Sequence, residues 1–162
     1  MELTLTIKNI PKIISQNTYL VPSTRYIWVG KRKVANHYLY KDPTVKTYQE
    51  YMEGYLLEHY RSAIKDQMAL FTANENGTRK YKEYFDFYML NNIKARDVTN
   101  CVKLVEDSIV RVVNTVFDWE IRAKQIPKFD DSQIYHSECN KFLITDPNIH
   151  QEYIDYRIEW MD

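Results

Sequence analysis

The chain has 162 residues, a length that suits one domain, and its 22 Lys and Arg are balanced by 22 Asp and Glu. At 44% hydrophobic and 27% charged, with three Gly and five Pro, it has the composition of a folded globular protein, which excludes intrinsic disorder and long flexible linkers. A net charge of zero does not advertise a DNA binder, but a local basic stripe, not the total, is what contacts phosphates.

Leu3, Leu5 and Ile7 alternate with Thr4, Thr6 and Lys8, the pattern of a half-buried strand. Pro11 ends it, and residues 11–24 read as an extended loop. Tyr26–Val29 reads as a second short strand, followed by the basic run Lys31-Arg32-Lys33, which is either a solvated turn or a phosphate contact. Asp42-Pro43 is a helix start, with Asp as cap and Pro at the first helical position. Tyr48, Met52, Tyr55, Leu56, His59 and Ala63 then recur at helical spacing to about Lys65. Asn74 to Gly77 is a turn. Residues 81–90 form an aromatic strand, with Tyr81, Phe85, Phe87 and Met89 on one face and Lys82, Tyr84, Asp86 and Tyr88 on the other. Asn91 to Arg96 is a polar loop.

Asp97 opens the most regular helix. Val98, Cys101, Val102, Val105, Ile109, Val112, Val113 and Val116 share one apolar stripe, and Thr99, Asn100, Lys103 and Asp107 lie opposite. Phe129–Asp131 precede two strand-like runs, Gln133–Ser137 and Lys141–Thr145. Asp146-Pro147-Asn148 turns the chain, and Ile154, Tyr156, Ile158 and Trp160 alternate along a closing strand. The order of elements implies a single α+β domain with a mixed or mostly antiparallel sheet and helices packed on one face.

Each polar residue of the segment 94–134 has an ordinary reading. Asp97 is a helix cap, Lys103 with Asp107 an i,i+4 surface pair, and Asp130-Asp131 a polar turn. Their joint occurrence carries more. Arg96-Asp97-Val98-Thr99-Asn100-Cys101-Val102-Lys103, the later Asp107, and Asp130-Asp131-Ser132-Gln133-Ile134 resemble the motifs of the RusA-type Holliday junction resolvases. In that family a basic residue precedes Asp-x-Asp-Asn-x-x-Lys on a helix, and Asp-Asp-x-Gln-[Ile/Val] opens a strand. The resemblance touches the N-terminal strand, Ser15-Gln16-Asn17 and the C-terminal strand weakly.

The resemblance implies a Mg²⁺-dependent endodeoxyribonuclease, with Mn²⁺ as a substitute, that resolves four-way DNA junctions as a homodimer. It implies metal carboxylates at Asp97 and Asp131, a catalytic Lys103 near the scissile phosphate, and supporting roles for Asn100 and Asp107. Two departures stand out. Thr99 replaces the family's second helical carboxylate; either it acts as a neutral ligand through water, or Asp130 supplies the missing charge, or the site is inactive. Residues 110–128 form a longer connection than the family's, an insertion in which Phe117, Trp119 and Ile121 extend the helix, form a lid or join a dimer interface.

Lys31, Arg32, Lys33, Arg79, Lys80, Lys94 and Arg96 are the candidate phosphate contacts. The rival expectations are a catalytically weak or inactive junction binder, marked by Thr99, and a non-enzymatic α+β interaction protein. GxGxxG, P-loop, GxSxG and HExxH motifs are absent. Cys101 and Cys139 lack metal-site spacing, no apolar run nears the ~20 residues of a membrane helix, and the first residues do not resemble a signal peptide. A cytoplasmic protein with free thiols is therefore expected.

Overall fold

A computed structural model describes residues 2–10, 12–14, 20–68, 80–91, 94 and 96–160. The elements run β1 (Glu2–Ile10), β2 (Leu20–Val29), β3 (Arg32–Lys41), α1 (Pro43–Met68), β4 (Tyr81–Met89), α2 (Val98–Val116), α3 (Asp118–Arg122), a 3-10 turn (Asp131–Gln133), β5 (Ile134–Leu143) and β6 (Glu152–Trp160). Four strands make one sheet in the order β1-β6-β4-β5. β6 lies antiparallel to both β1 and β4, and β4 pairs in parallel with β5. A parallel pair needs a crossover, and α2 supplies it. The fold is α+β with a mixed sheet, as the order of elements predicts.

Alternation decides which face is covered. Leu3, Leu5 and Ile7 of β1, Phe85, Phe87 and Met89 of β4, and Ile154, Tyr156 and Ile158 of β6 are buried, as are Met52 and Leu56 of α1 and Leu104, Val105 and Ile109 of α2. Both long helices therefore lie on the same side of the sheet. Its other side carries a half-exposed aromatic ladder in which Tyr88 stacks on Tyr153 at 4.2 Å and on Phe142 at 5.1 Å. A sheet with one face on the core and the other solvated takes this form.

Asp42 caps α1 as expected, its carboxylate accepting from the Thr44 N–H at 2.7 Å. The extended loop expected over 11–24 is corrected at its far end. Residues 20–24 already belong to β2, because β2 continues through Tyr26 and pairs residue by residue with β3. β3 itself has no counterpart in the sequence reading. A two-residue turn at Gly30-Lys31, with Gly30 at φ 62°, closes this hairpin and sets Lys31-Arg32-Lys33 at its tip. The two strand-like runs over 133–145 are one strand, β5. The 74–77 turn, Arg79 and Ser15-Gln16-Asn17 lie outside the described residues.

In the 110–128 segment, α2 runs on to Val116, Phe117 turns inward and is buried, and α3 leaves Trp119 exposed. The segment thus extends the helix and adds one short turn.

Candidate active site around Lys103

Lys103 lies on the polar side of α2, one turn before Glu106 and Asp107. Its ammonium donates to Asp131 Oδ2 at 2.6 Å, to Glu106 Oε1 at 3.1 Å, and meets Asp107 Oδ1 at 3.1 Å. The helix brings the last two, at i+3 and i+4. Asp131 arrives from 28 residues away because the 3-10 turn before β5 packs against α2. Asp130 fixes that turn. Its carboxylate accepts from the Ser132 N–H at 2.9 Å, and its own N–H donates to Gln133 Oε1 at 3.0 Å. The Gln133 bond, with the Asp130 side chain accepting in return from the Gln133 N–H, forms a capping box.

Three carboxylates thus surround one ammonium. Partial burial works to lower the Lys103 pKa, but the bonds from Asp131, Glu106 and Asp107 outweigh it and hold the lysine firmly protonated. Glu106 is half-buried. Desolvation, with the neighbouring charges of Asp131 and Asp107, pushes its carboxyl up against the opposing pull of Lys103. Among the described residues, Glu106, Asp107 and Asp131 offer ligand oxygens that all lie within 4.8 Å of one another.

Asp97 does not join them. Its Oδ1 accepts from the Thr99 N–H at 3.1 Å and the Thr99 hydroxyl at 2.6 Å, and its Oδ2 accepts from Asn100 Nδ2 at 2.8 Å. It is the N-cap of α2. The Thr99 hydroxyl, aided by the backbone amides, holds its carboxyl below the usual range. Six residues of helix, about 9 Å of rise, separate Asp97 from Lys103. Asp97 also lies toward the Lys141 end of β5, whereas Asp131 leads into Ile134. Those strand positions are roughly 23 Å apart. The expected pairing of Asp97 with Asp131 is therefore replaced by a pairing of Asp131 with Glu106 and Asp107. Thr99 and Asn100 serve the cap.

Arg96, expected at the phosphates, is buried. Its Nη1 donates to both oxygens of Glu152 at 2.6 Å. Glu152 also accepts from the Ile13 N–H at 2.6 Å and the Leu90 N–H at 3.1 Å. This ion pair ties the ends of β1 and β4 to the start of β6, so Arg96 is a structural residue and not a surface cation. Lys94 is exposed, and Lys31, Arg32 and Lys33 are exposed at the hairpin tip.

Three residues escaped the sequence reading. Glu106 falls one turn after Lys103, and the i+3 spacing was its only signal. Glu152 opens β6, at the buried register that Ile154 and Tyr156 continue. Glu83 sits at a core register of β4 between Tyr81 and Phe85, fully buried, with Oε1 accepting from the Tyr156 hydroxyl at 2.9 Å. Burial, then the charge of Glu106, pushes the Glu83 carboxyl up to about 8. An acid in an otherwise apolar alternation was the visible clue.

No protein-family model matches this chain, and a search of curated proteins returns no match.

Proposed function

We propose that this chain is a divalent-metal-dependent endodeoxyribonuclease acting on branched DNA, the activity implied by its resemblance to the RusA-type resolvases. The observation that carries the reading is the 2.6 Å contact between Lys103 and Asp131, residues from two separate motifs of that resemblance. A cation has a donor set here that suits it. Asp131, Glu106 and Asp107 are hard oxygen ligands, the kind Mg²⁺ and Mn²⁺ prefer, and three carboxylates exceed the charge of one lysine. Held by those three residues, the ion would supply an acidified water and a clamp for a phosphate oxygen.

The chain's own groups account for the rest. Lys103, kept charged by its partners, sits at the same point, and an ion taking those carboxylates would free its ammonium to stabilise charge building on a phosphate oxygen or on the leaving oxygen. Asp130 sets the conformation that presents Asp131. Asp97, with Thr99 and Asn100, fixes the start of α2. Phosphate contacts outside the site fall to Lys31, Arg32, Lys33 and Lys94. A homodimer would place two such sites about a two-fold axis for paired cuts on opposing strands.

The test is a synthetic four-way junction with Mg²⁺. The wild-type protein should cleave it. Asp131→Asn should lose cleavage by a factor of about 10² or more while keeping junction binding in EDTA. Equal cleavage by the two proteins would remove the site from the reaction.

A second reading has its own observation. Thr99 stands where the family has its second helical carboxylate, and it and Asn100 hold Asp97 as a helix cap, which favours a junction binder without catalysis. Junction binding with no Mg²⁺-dependent cleavage would select it. No helix among the described residues is long and apolar enough to cross a membrane. Cys101 and Cys139 are both free thiols, which suits the reducing cytoplasm proposed here as its location.

A further inference from the structure

The zero net charge conceals a strong asymmetry. Residues 3–41 hold seven Lys and Arg and no Asp or Glu, whereas 42–162 hold 15 basic against 21 acidic residues. The β2–β3 hairpin occupies the basic part. It forms a sheet of its own, and every residue from 24 to 35 is exposed, on both of its faces. A two-stranded ribbon alone in water is marginal, and its exposed side chains are unusual: Trp28 at 71%, Tyr26 at 65% and Val29 at 59%. Contiguous apolar exposure of this kind marks a binding surface.

Register sorts the faces. Tyr26 pairs with Ala35, and Trp28 pairs with Lys33, so both rings and the Lys33 amine share one face. Residues two apart on a strand stand about 6.8 Å apart, room for one flat base between two rings. The Lys33 ammonium lies over the Tyr26 ring at 5.0 Å, and Lys31 and Arg32 close the tip. An apolar protein partner would gain nothing from this density of cations without a single acid. A polyanion whose bases are free to stack gains from both features.

We propose that the β2–β3 hairpin is an arm that binds an unpaired DNA strand, with Tyr26 and Trp28 stacking on bases while Lys31, Arg32 and Lys33 hold the adjoining phosphates. The inference rests on the branched-DNA reading, since forked or flapped DNA carries such a strand and a four-way junction exposes one where its centre is opened. The arm needs no metal and takes no part in cleavage.

The experiment is fluorescence anisotropy in EDTA with two labelled probes, a short oligothymidine and a fully paired duplex of equal length. Wild type should bind both. Tyr26→Ala and Trp28→Ala should each weaken oligothymidine binding about fivefold or more and leave the duplex unchanged. Trp28→Phe, which keeps a ring, should retain most of the affinity. Replacing Lys31, Arg32 and Lys33 together by Ala should weaken both probes and cut the salt slope on oligothymidine by about two. All these side chains are exposed, so the variants leave the core intact.

The proposal is overturned if wild type ignores oligothymidine, or if both ring-to-Ala variants bind it as wild type does. It is also overturned if those variants turn a wild-type dimer into monomers without changing DNA affinity, which would make a second copy the occupant. Because no metal is present, these results stand apart from the junction assay. Absence of Mg²⁺-dependent cleavage would sink the nuclease and leave the arm, and unchanged binding by the ring variants would do the reverse.

Discussion

Arg96→Ala separates a structural cation from a DNA contact. The guanidinium is nearly buried, and its partner Glu152 is 2% exposed, with two bonds of 2.6 Å between them. Removing Arg96 leaves the Glu152 carboxylate inside the protein with only the Ile13 and Leu90 amides as donors. Breaking a buried pair from one side costs about 3–5 kcal/mol. A domain has about 5–15 kcal/mol in all, so the variant should be severely weakened. At about 2–4 °C per kcal/mol for a chain of this size, the melting temperature should fall by about 6–20 °C. Urea unfolding measures the loss directly, with an unchanged m value showing that the unfolded state is not the cause. A double variant, Arg96→Met with Glu152→Gln, should recover much of the stability because it removes both charges together. If Arg96→Ala costs less than about 1 kcal/mol and instead weakens DNA binding, the ion-pair argument fails and the phosphate-contact reading returns.

Glu83 gives a pH test. Its folded-state pKa is raised from 4.5 to about 8 by burial and the charge of Glu106, so the unfolded chain releases this proton first as pH rises. Stability from this group is fully present below about pH 4.5 and falls by about 1.4 kcal/mol per pH unit toward pH 8, on the order of 5 kcal/mol in total. Glu83→Gln, which can still accept from Tyr156, should gain on wild type in urea melts between pH 5 and pH 8; a difference that stays constant with pH would refute this. Gly54 is an exposed residue inside α1 with open space around its Cα. Gly54→Ala should stabilise the protein by about 1 kcal/mol, and thermal melts with no gain would show that α1 is not a regular helix there.

Local rules carried much of the fold. β1, β4 and β6 announced themselves by alternation, because one face of each is buried and the other is wet. α2 was legible from its apolar stripe, and its cap from Asp97, because a cap is a contact between residues two and three apart. β3 was not legible. From Arg32 to Ala35 its side chains face solvent on both sides, so burial imposes no pattern there. The buried ion pair was not legible either. Arg96 and Glu152 are 56 residues apart, and an isolated arginine in a polar loop reads as a surface charge.

By itself the sequence determined the class of fold, the strand and helix faces, and the polar side of α2 that carries Lys103 and Asp107, because periodicity and capping act over a few residues. Only the tertiary structure decided which acids meet. The α2 crossover carries the chain away from Asp97 and returns it so that Asp131 docks beside Lys103, while Glu106 joins from the helix itself. Distances between segments depend on how layers pack, and no spacing along the chain encodes them.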